Sequence, residues 1–357
     1  MSIHINRKDE HVLLANKFYT PETNSDFDAL KFVHQSLPQV NFDDVSIATT
    51  FAGLTFDTPF FINGMTGGSD NTYQINRDLA TVAKETGLAM ASGSISAAIK
   101  HPEVSKSYSI MREINPNGIL FANLGAEHSV ENGKRAVDIL QANALQLHVN
   151  VAQELVMPEG GRQFDHWLRS IQLMVEQVGV PVIVKEVGFG MSRETIELLK
   201  SIGVASIDIS GRGGTNFAAI ENARRPQNDL DFLEDWGQST VISLIEAYNS
   251  HTSVDIIASG GIRTPLDMIK AYSLGAKACG LSGQFLHLIQ EKGIENTCDS
   301  IVLWQEQLKT IMTLLGAQSL PHLTETDIVL SPSLTSWCQN RMIDTQKFSN
   351  RIKNTHA

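Results

Sequence analysis

Beyond Pro59 the chain alternates short apolar runs with longer amphipathic ones. Short continuous runs suit buried strands and the longer ones suit helices with one apolar stripe, so the pattern predicts βα units around a parallel sheet. Eight strands are expected, at residues 60–63, 88–92, 119–123, 144–150, 182–186, 206–210, 255–259 and 278–282. Helical patterns intervene, among them 73–86, 133–142, 167–178, 193–202 and 235–248. Eight units predict an α/β fold closed as a (β/α)8 TIM barrel, not an open doubly wound sheet, and no GxGxxG opens the first unit. Ahead of the barrel, residues 1–38 are polar and helix-like in patches, and 45–56 (VSIATTFAGLTF) read as a hairpin that plugs one barrel end. Behind it, a helical pattern runs to Leu315 and a polar tail ends in Lys347, Arg351 and Lys353, expected as a helical appendage with a frayed end. The expected organisation is 1–58 for the N-terminal segment and hairpin, 59–292 for the barrel, and 293–357 for the C-terminal appendage.

In such a barrel the chemistry lies where strands end, so those positions should break the apolar rule. Ser259-Gly260-Gly261-Ile262-Arg263 joins a strand to a helix start, and bare N–H groups with a positive dipole end suit a phosphate. The turn 278–283 (ACGLSG) repeats this more weakly, and the last two βα turns are the usual phosphate grip. Earlier strands run into small residues at 63–69 (NGMTGGS), 92–96 (SGSIS) and 123–125 (NLG), which let a flat ring approach the backbone. In the fourth strand Leu145, Leu147 and Val149 alternate with Gln146, His148 and Asn150. Helices cover the outer face, so the polar set, with Gln153 and Glu154 in the following loop, belongs to the barrel mouth. Lys185 ends the fifth strand and needs a partner, either an anionic ligand or Glu186 or Asp208. A phosphate cradle, flat-ring loops, a strand-end lysine and a separate polar cluster together fit flavin mononucleotide, whose ring gains negative charge on reduction.

Composition narrows this further. The 357 residues carry a formal charge of -11, which argues against an extended nucleic-acid or anionic-membrane surface and favours a local site for a small anion. Cys279, Cys298 and Cys338 form no CxxC pair and no even-numbered framework, as expected of a reducing compartment. No apolar run is long enough to span a bilayer and the N-terminus lacks a signal-like core, so a cytoplasmic protein without membrane partners is expected.

The motifs RKDEH at 7–11, MTGG at 65–68, GSISA at 93–97, LHVNVAQELVMPEGGR at 147–162, VKEVGFGMS at 184–192, SGRGGTNFAAIE at 210–221 and SGGIR at 259–263 occur in order. Over residues 7–286 the chain resembles the type II, FMN-dependent isopentenyl-diphosphate isomerases. The resemblance implies interconversion of isopentenyl and dimethylallyl diphosphate, with Mg2+ and with FMN reduced by NADPH or NADH although no net redox change occurs. It places FMN contacts at Met65, Thr66, Gly67, Gly68, Ser94, Asn123, Lys185, Ser210, Thr215, Gly260, Gly261, Ile262, Arg263, Ser282 and Gly283. Substrate contacts would be Arg7, Lys8, Ser94, Ile95, Ser96 and Gln153, with Glu154 as the Mg2+ ligand. Gln153, opposite the flavin, would move the proton, and His148 and Asn150 would stand beside the diphosphate. Many relatives have arginine where this chain has Ser96, which shifts the charge onto Arg7, Lys8 and the metal. The N-terminal segment would then act as a substrate lid, and the assembly would be a homo-oligomer, tetramer or octamer.

Two related barrels fit less well. A 2-hydroxy-acid oxidase needs a histidine ahead of the late glycine turn, and an inosine-monophosphate-dehydrogenase-like enzyme needs a cysteine after the sixth strand. Neither residue is present at those places. A non-catalytic flavin- or phosphate-binding module would have no use for Gln153, Glu154 and the basic N-terminus.

Overall fold

The computed structural model describes residues 3–19, 25–64, 66–250 and 253–352, with side chains from Lys8 onward. Eight strands form a closed parallel barrel: β1 (Phe60–Ile62), β2 (Met90–Ala91), β3 (Leu120–Gly125), β4 (Ala144–His148), β5 (Val182–Lys185), β6 (Ser206–Asp208), β7 (Asp255–Ser259) and β8 (Ala278–Leu281). Each pairs with its sequence neighbours, and β8 closes onto β1 through Gly280 opposite Phe61. Side chains alternate along a strand with period two, so each strand sends one set outward to the helices and one inward. Outward-facing Leu145, Leu147, Val182 and Val184 are fully buried beneath helices such as Val130–Leu140 and Trp167–Gln177.

The inward set changes character along the barrel. Phe61, Ala91, Phe121, Ala144, Ile183, Ile257 and Ala278 form an apolar floor, into which a hairpin inserts Phe51 and Phe56. Those two rings stack at 4.2 Å between centroids, and Phe51 is 1% exposed. Burying a phenylalanine this fully stabilises the closed end by about 1.5–3 kcal/mol. Two residues further along the same strands, the inward positions become Asn63, Asn123, Gln146, Lys185, Asp208 and Ser259. The mouth therefore starts one polar layer above an aromatic plug.

Local sequence starts the helices where they are needed. Ser69, Ser129, Ser192, Asn216, Ser239 and Thr264 each accept a backbone N–H of the first helical turn with their side chains. Each such cap is worth about 1 kcal/mol, and it fixes where a strand-end loop hands over to its helix.

Up to Ile352 the C-terminal appendage is folded, and the expected frayed end beyond it lies outside the described residues. The helix Gly283–Leu314, interrupted at Gly293 with φ 72°, is followed by the helix Leu320–Leu323, the strand Ile328–Leu330 and the helices Pro332–Asn340 and Gln346–Ser349. That strand pairs antiparallel with Leu30–Phe32 from the N-terminal region. Arg351, far from being a loose end, is 6% exposed and donates to the carbonyls of Ser273 and Thr326. No helix among the described residues is long and apolar enough to cross a membrane. The three cysteines are free, with Cys279 and Cys338 buried.

Candidate active site

The polar layer is knitted into one ladder across the barrel. Ser259 Oγ donates to Asp208 Oδ1 at 2.6 Å, and Asn63 Nδ2 donates to Asp208 Oδ2 at 2.8 Å. Gln146 Nε2 donates to Asn63 Oδ1 at 3.0 Å, Asn123 Nδ2 to Gln146 Oε1 at 3.2 Å, and Asn123 Oδ1 lies 2.9 Å from His148 Nδ1. Buried polar groups that satisfy each other in this way fix side-chain positions, because breaking one link strands its partner. Burial raises the Asp208 carboxyl, against the field of Lys185 and its hydrogen-bond donors. Lys185 Nζ itself donates to the Glu186 carbonyl at 2.8 Å, and neither Glu186 nor Asp208 pairs with it among the described residues. The Glu186 carboxylate instead accepts N–H groups from Val187, Gly188 and Phe189, which sets the loop after β5. Burial outweighs those donors and pushes Glu186 up to about 7.

Above the ladder opens a cavity of about 1570 Å³. That exceeds the usual single-ligand pocket of roughly 300–1,000 Å³, so there is room for a ring cofactor and a second small molecule. Lys8, Thr66, Ser94, Ser96, Asn123, His148, Asn150, Gln153, Glu154, Lys185, Ser210 and Thr215 all line it. So do Gly260, Gly261, Ile262, Arg263, Ser282 and Gly283. Gly67, Gly68 and Ile95 do not: a Cβ on Gly67 would run into the Tyr108 ring, and Ile95 is fully buried in the core with its N–H on Asn123 O. Arg7 and Met65 lie outside the described side chains. The Arg263 guanidinium is held by Asp28, at 2.7 and 3.0 Å, and by Asp267.

One wall suits a flavin. Gly260 and Gly261 have φ of 87° and 69°, and a Cβ on Gly261 would press on Gly213 at 3.1 Å. The two glycine loops interlock, leaving no room for a side chain between them. Register places Ser259 beside Gly280, bringing Ser282 and Gly283, at the start of the Gly283–Leu314 helix, next to the same cradle. Ser210 bridges the loops at a φ of 26°, an unusual value for serine that accords with strain held at a site. Thr66 Oγ1 is buried in the wall and has no hydrogen-bond partner among the described residues, as expected of a donor awaiting a ligand.

The opposite wall is built on a short helix, Val151–Val156, where a loop was expected. Asn150 Nδ2 donates to Gln153 Oε1 and to Glu154 Oε1, both at 3.1 Å. Glu154 Oε2 accepts Gly161 N–H at 2.5 Å, which aims a half-buried carboxylate along the cavity. No group of three or more His, Cys, Asp or Glu residues among those described could hold a metal, so a hard cation here would need oxygens from a ligand and water besides Glu154. His148 is held neutral: burial, with Lys185 and Lys8 nearby, brings it down to about 3. His128, bonded to Ser96 Oγ at 2.7 Å, is lowered to about 4 by burial and by Lys100.

Three residues escaped the sequence reading. Glu221, fully buried on the helix Phe217–Ala223, accepts Gln153 Nε2 at 2.8 Å and Arg224 Nη1 at 2.6 Å, with His11 Nε2 3.1 Å away. Burial pushes its carboxyl up, but His11, Gln153 and Arg224 outweigh this and bring it down to about 2. Arg224 also reaches Glu159 at 2.7 Å and Glu10 at 3.2 Å. It thus ties the N-terminal helix Ile3–Lys17 to the mouth. His11 and Glu221 lay inside quoted motifs, yet only three-dimensional proximity pairs residues 210 positions apart.

Comparison with known proteins places the chain in a family. The sequence model of the FMN-dependent dehydrogenase family matches residues 105–330. The chain is 52% identical over 340 residues to isopentenyl-diphosphate delta-isomerase of Latilactobacillus sakei, covering 95% of this chain and 97% of that one. It is 49% identical over 338 residues to that of Staphylococcus saprophyticus, again covering 95% and 97%. Among solved structures, a mandelate oxidase mutant with an FMN adduct superposes with TM-score 0.61 at 15% identity, over 90% of this chain and 92% of the other. A flavocytochrome b2 mutant gives 0.64 at 17% identity, over 94% and 81%. At those identities the structures speak for the barrel only, whereas half-identity over nearly the whole length fixes the kinship: the chain belongs to the type II, FMN-dependent family of isopentenyl-diphosphate delta-isomerases.

Proposed function

We propose that the cavity binds FMN, Mg2+ and isopentenyl diphosphate side by side and moves the double bond to give dimethylallyl diphosphate. The observation that carries this is the pairing of a glycine phosphate cradle on β7 and β8 with a separate Gln153–Glu154 wall, within one cavity large enough for both ligands. Gly260, Gly261, Ser282 and Gly283 would hold the flavin phosphate; Thr66, Ser94, Asn123, Ser210 and Thr215 would meet the ring, and Lys185 its electron-rich edge. Reduced FMN, when bound, supplies an electron-rich surface beside the alkene and an acid/base group, NADPH or NADH being the reductant. Glu154 would take Mg2+ together with the diphosphate oxygens.

The chain's own residues do the rest. Asn150 fixes the Gln153 carbonyl and Glu221 fixes its amide nitrogen, so both ends of that side chain are set before substrate enters. A pre-set amide can hold a proton donor or acceptor over the reacting carbons without costly rearrangement. Neutral His148 adds a hydrogen-bonding group and no charge, while Lys8, with Arg7, would meet the diphosphate from the N-terminal helix. Phe217, Met157 and Trp167 provide an apolar wall where the hydrocarbon can lie away from water. The family reading further implies a homo-oligomer, tetramer or octamer.

The test is the spectrum of the purified protein followed by anaerobic turnover of isopentenyl diphosphate, with and without NAD(P)H and with Mg2+ titrated. A yellow protein, active only when reduced and only with Mg2+, is the expected result. A protein that fails to take up FMN, or that turns over equally well oxidised and without Mg2+, would overturn the reading.

A further inference from the structure

The cations that line the cavity are almost all committed. Arg263 is paired with Asp28 and Asp267, Arg212 with Asp235, and Lys185 with the Glu186 carbonyl. Lys17 lies over the Phe18 ring, and Lys8 is engaged as well. Lys100 is different: it is exposed to the cavity, and among the described residues its ammonium has no carboxylate within 4 Å and no hydrogen bond.

Its position is set by a short helix, Ser96–Lys100, so Lys100 stands one turn, about 6 Å in rise, beyond Ser96. Ser96 is saturated by neutral partners, Ser94 Oγ at 2.9 Å and His128 Nε2 at 2.7 Å, and can bring no charge to this wall. Burial lowers His128 and Lys100 adds to this, whereas burial raises the Glu127 carboxyl, with Glu154 adding to it and Lys100 opposing it. Glu127, His101 and Glu154 line the same cavity. Two carboxylates and one unpaired ammonium around open space form an arrangement that an anion bridged by a divalent cation would complete, the cation taking Glu154 and the anion taking Lys100.

We propose that Lys100 is a substrate-binding residue that contacts the diphosphate, supplying from the β2 side of the barrel the positive charge that Ser96 lacks. This rests on the reading of the cavity as a diphosphate site. The flavin phosphate would sit with Gly260 and Ser282, on β7 and β8, so the two anions are distinguished by which wall holds them.

The experiment titrates Mg2+ and inorganic pyrophosphate into the FMN-loaded protein, alongside steady-state turnover and FMN affinity, for wild type, Lys100→Ala, Lys100→Arg and Lys100→Ala/Ser96→Arg. Lys100→Ala should weaken pyrophosphate binding and raise KM for isopentenyl diphosphate about tenfold or more, with kcat changed far less and FMN affinity unchanged. Lys100→Arg should stay close to wild type, and Ser96→Arg should recover most of the loss in the double variant, because a cation is restored to the same wall. Unchanged pyrophosphate affinity in Lys100→Ala would overturn the assignment; so would an equal loss of FMN and pyrophosphate, which would mean general damage. If wild type itself bound no pyrophosphate and turned over no isopentenyl diphosphate, the reading of the cavity would fail, a result distinct from failure of Lys100 alone.

Discussion

Gln153 is held at both ends, and the nature of the two partners decides what it can do. Asn150 donates to its carbonyl, and the Glu221 carboxylate accepts from its nitrogen, so the amide cannot flip without breaking both bonds. Replacing Glu221 with leucine removes the acceptor and leaves Arg224 without its buried counter-charge. We expect Glu221→Leu to lower kcat by about 100-fold or more, the scale of a misplaced acid/base group, while the flavin spectrum is retained. Steady-state assay on flavin-loaded protein checks it, and a kcat within threefold of wild type would remove Glu221 from the mechanism. The same carboxyl links to acid stability. Its folded value of about 2 lies below its ordinary 4.5, so its contribution is complete above pH 4.5 and is lost as pH falls towards 2. The stability gap between wild type and Glu221→Gln should therefore narrow across that window and stay constant above it.

The elements divide by how their evidence was carried in the chain. Barrel strands were legible because period-two patterning and strand-end polarity are local: the alternation at 144–150 already put Gln146 and His148 on the inner face, where they lie. The Gln153 segment was harder, since a six-residue helix leaves too short a period to distinguish from a loop. The N-terminal helix was legible as a charge run, but its docking contacts were not, because what holds it comes from elsewhere. Arg224 binds Glu10, Ser69 Oγ donates to Asp9 at 2.7 Å, and Asn16 donates to Gln290 at 2.6 Å. Exposed ion pairs contribute little individually, but Arg224 is mostly buried and gathers Glu10, Glu159 and Glu221 at one point. Arg224→Ala should release the helix Ile3–Lys17. Limited proteolysis should then cut within it several-fold faster than in wild type, with KM raised; equal cleavage rates would show that Arg224 does not hold this helix.

At the scale of the whole molecule, the C-terminal region belongs to the body of the protein, and its sequence concealed this for a physical reason. Its elements are three to nine residues long, and each buries only one or two apolar side chains, so no hydrophobic period develops among the polar positions. What anchors it is charge set into the barrel's helical layer. Glu246, on the helix Thr240–Asn249, is fully buried and accepts Trp337 Nε1 at 3.0 Å and Arg341 Nε at 2.8 Å. Arg341 also binds Glu194 at 2.6 Å, joining two barrel helices to the appendage. The Glu246 carboxyl is lowered: burial raises it, but the Arg341, Trp337 and Arg193 donors prevail. Removing Arg341 would leave a buried carboxylate with one fewer charge partner, a defect that costs about 2–3 kcal/mol when the group cannot reach water. Arg341→Ala should thus lower the thermal midpoint by several degrees, and Arg341→Lys should recover only part, since one ammonium cannot reproduce a planar guanidinium shared between two carboxylates. Neither variant should alter KM or FMN affinity, because none of Arg341, Glu246 and Glu194 lines the cavity. A thermal midpoint that stayed at the wild-type value in Arg341→Ala would mean that the appendage is held by its apolar contacts, Leu334, Cys338 and Phe348, and not by this bridge.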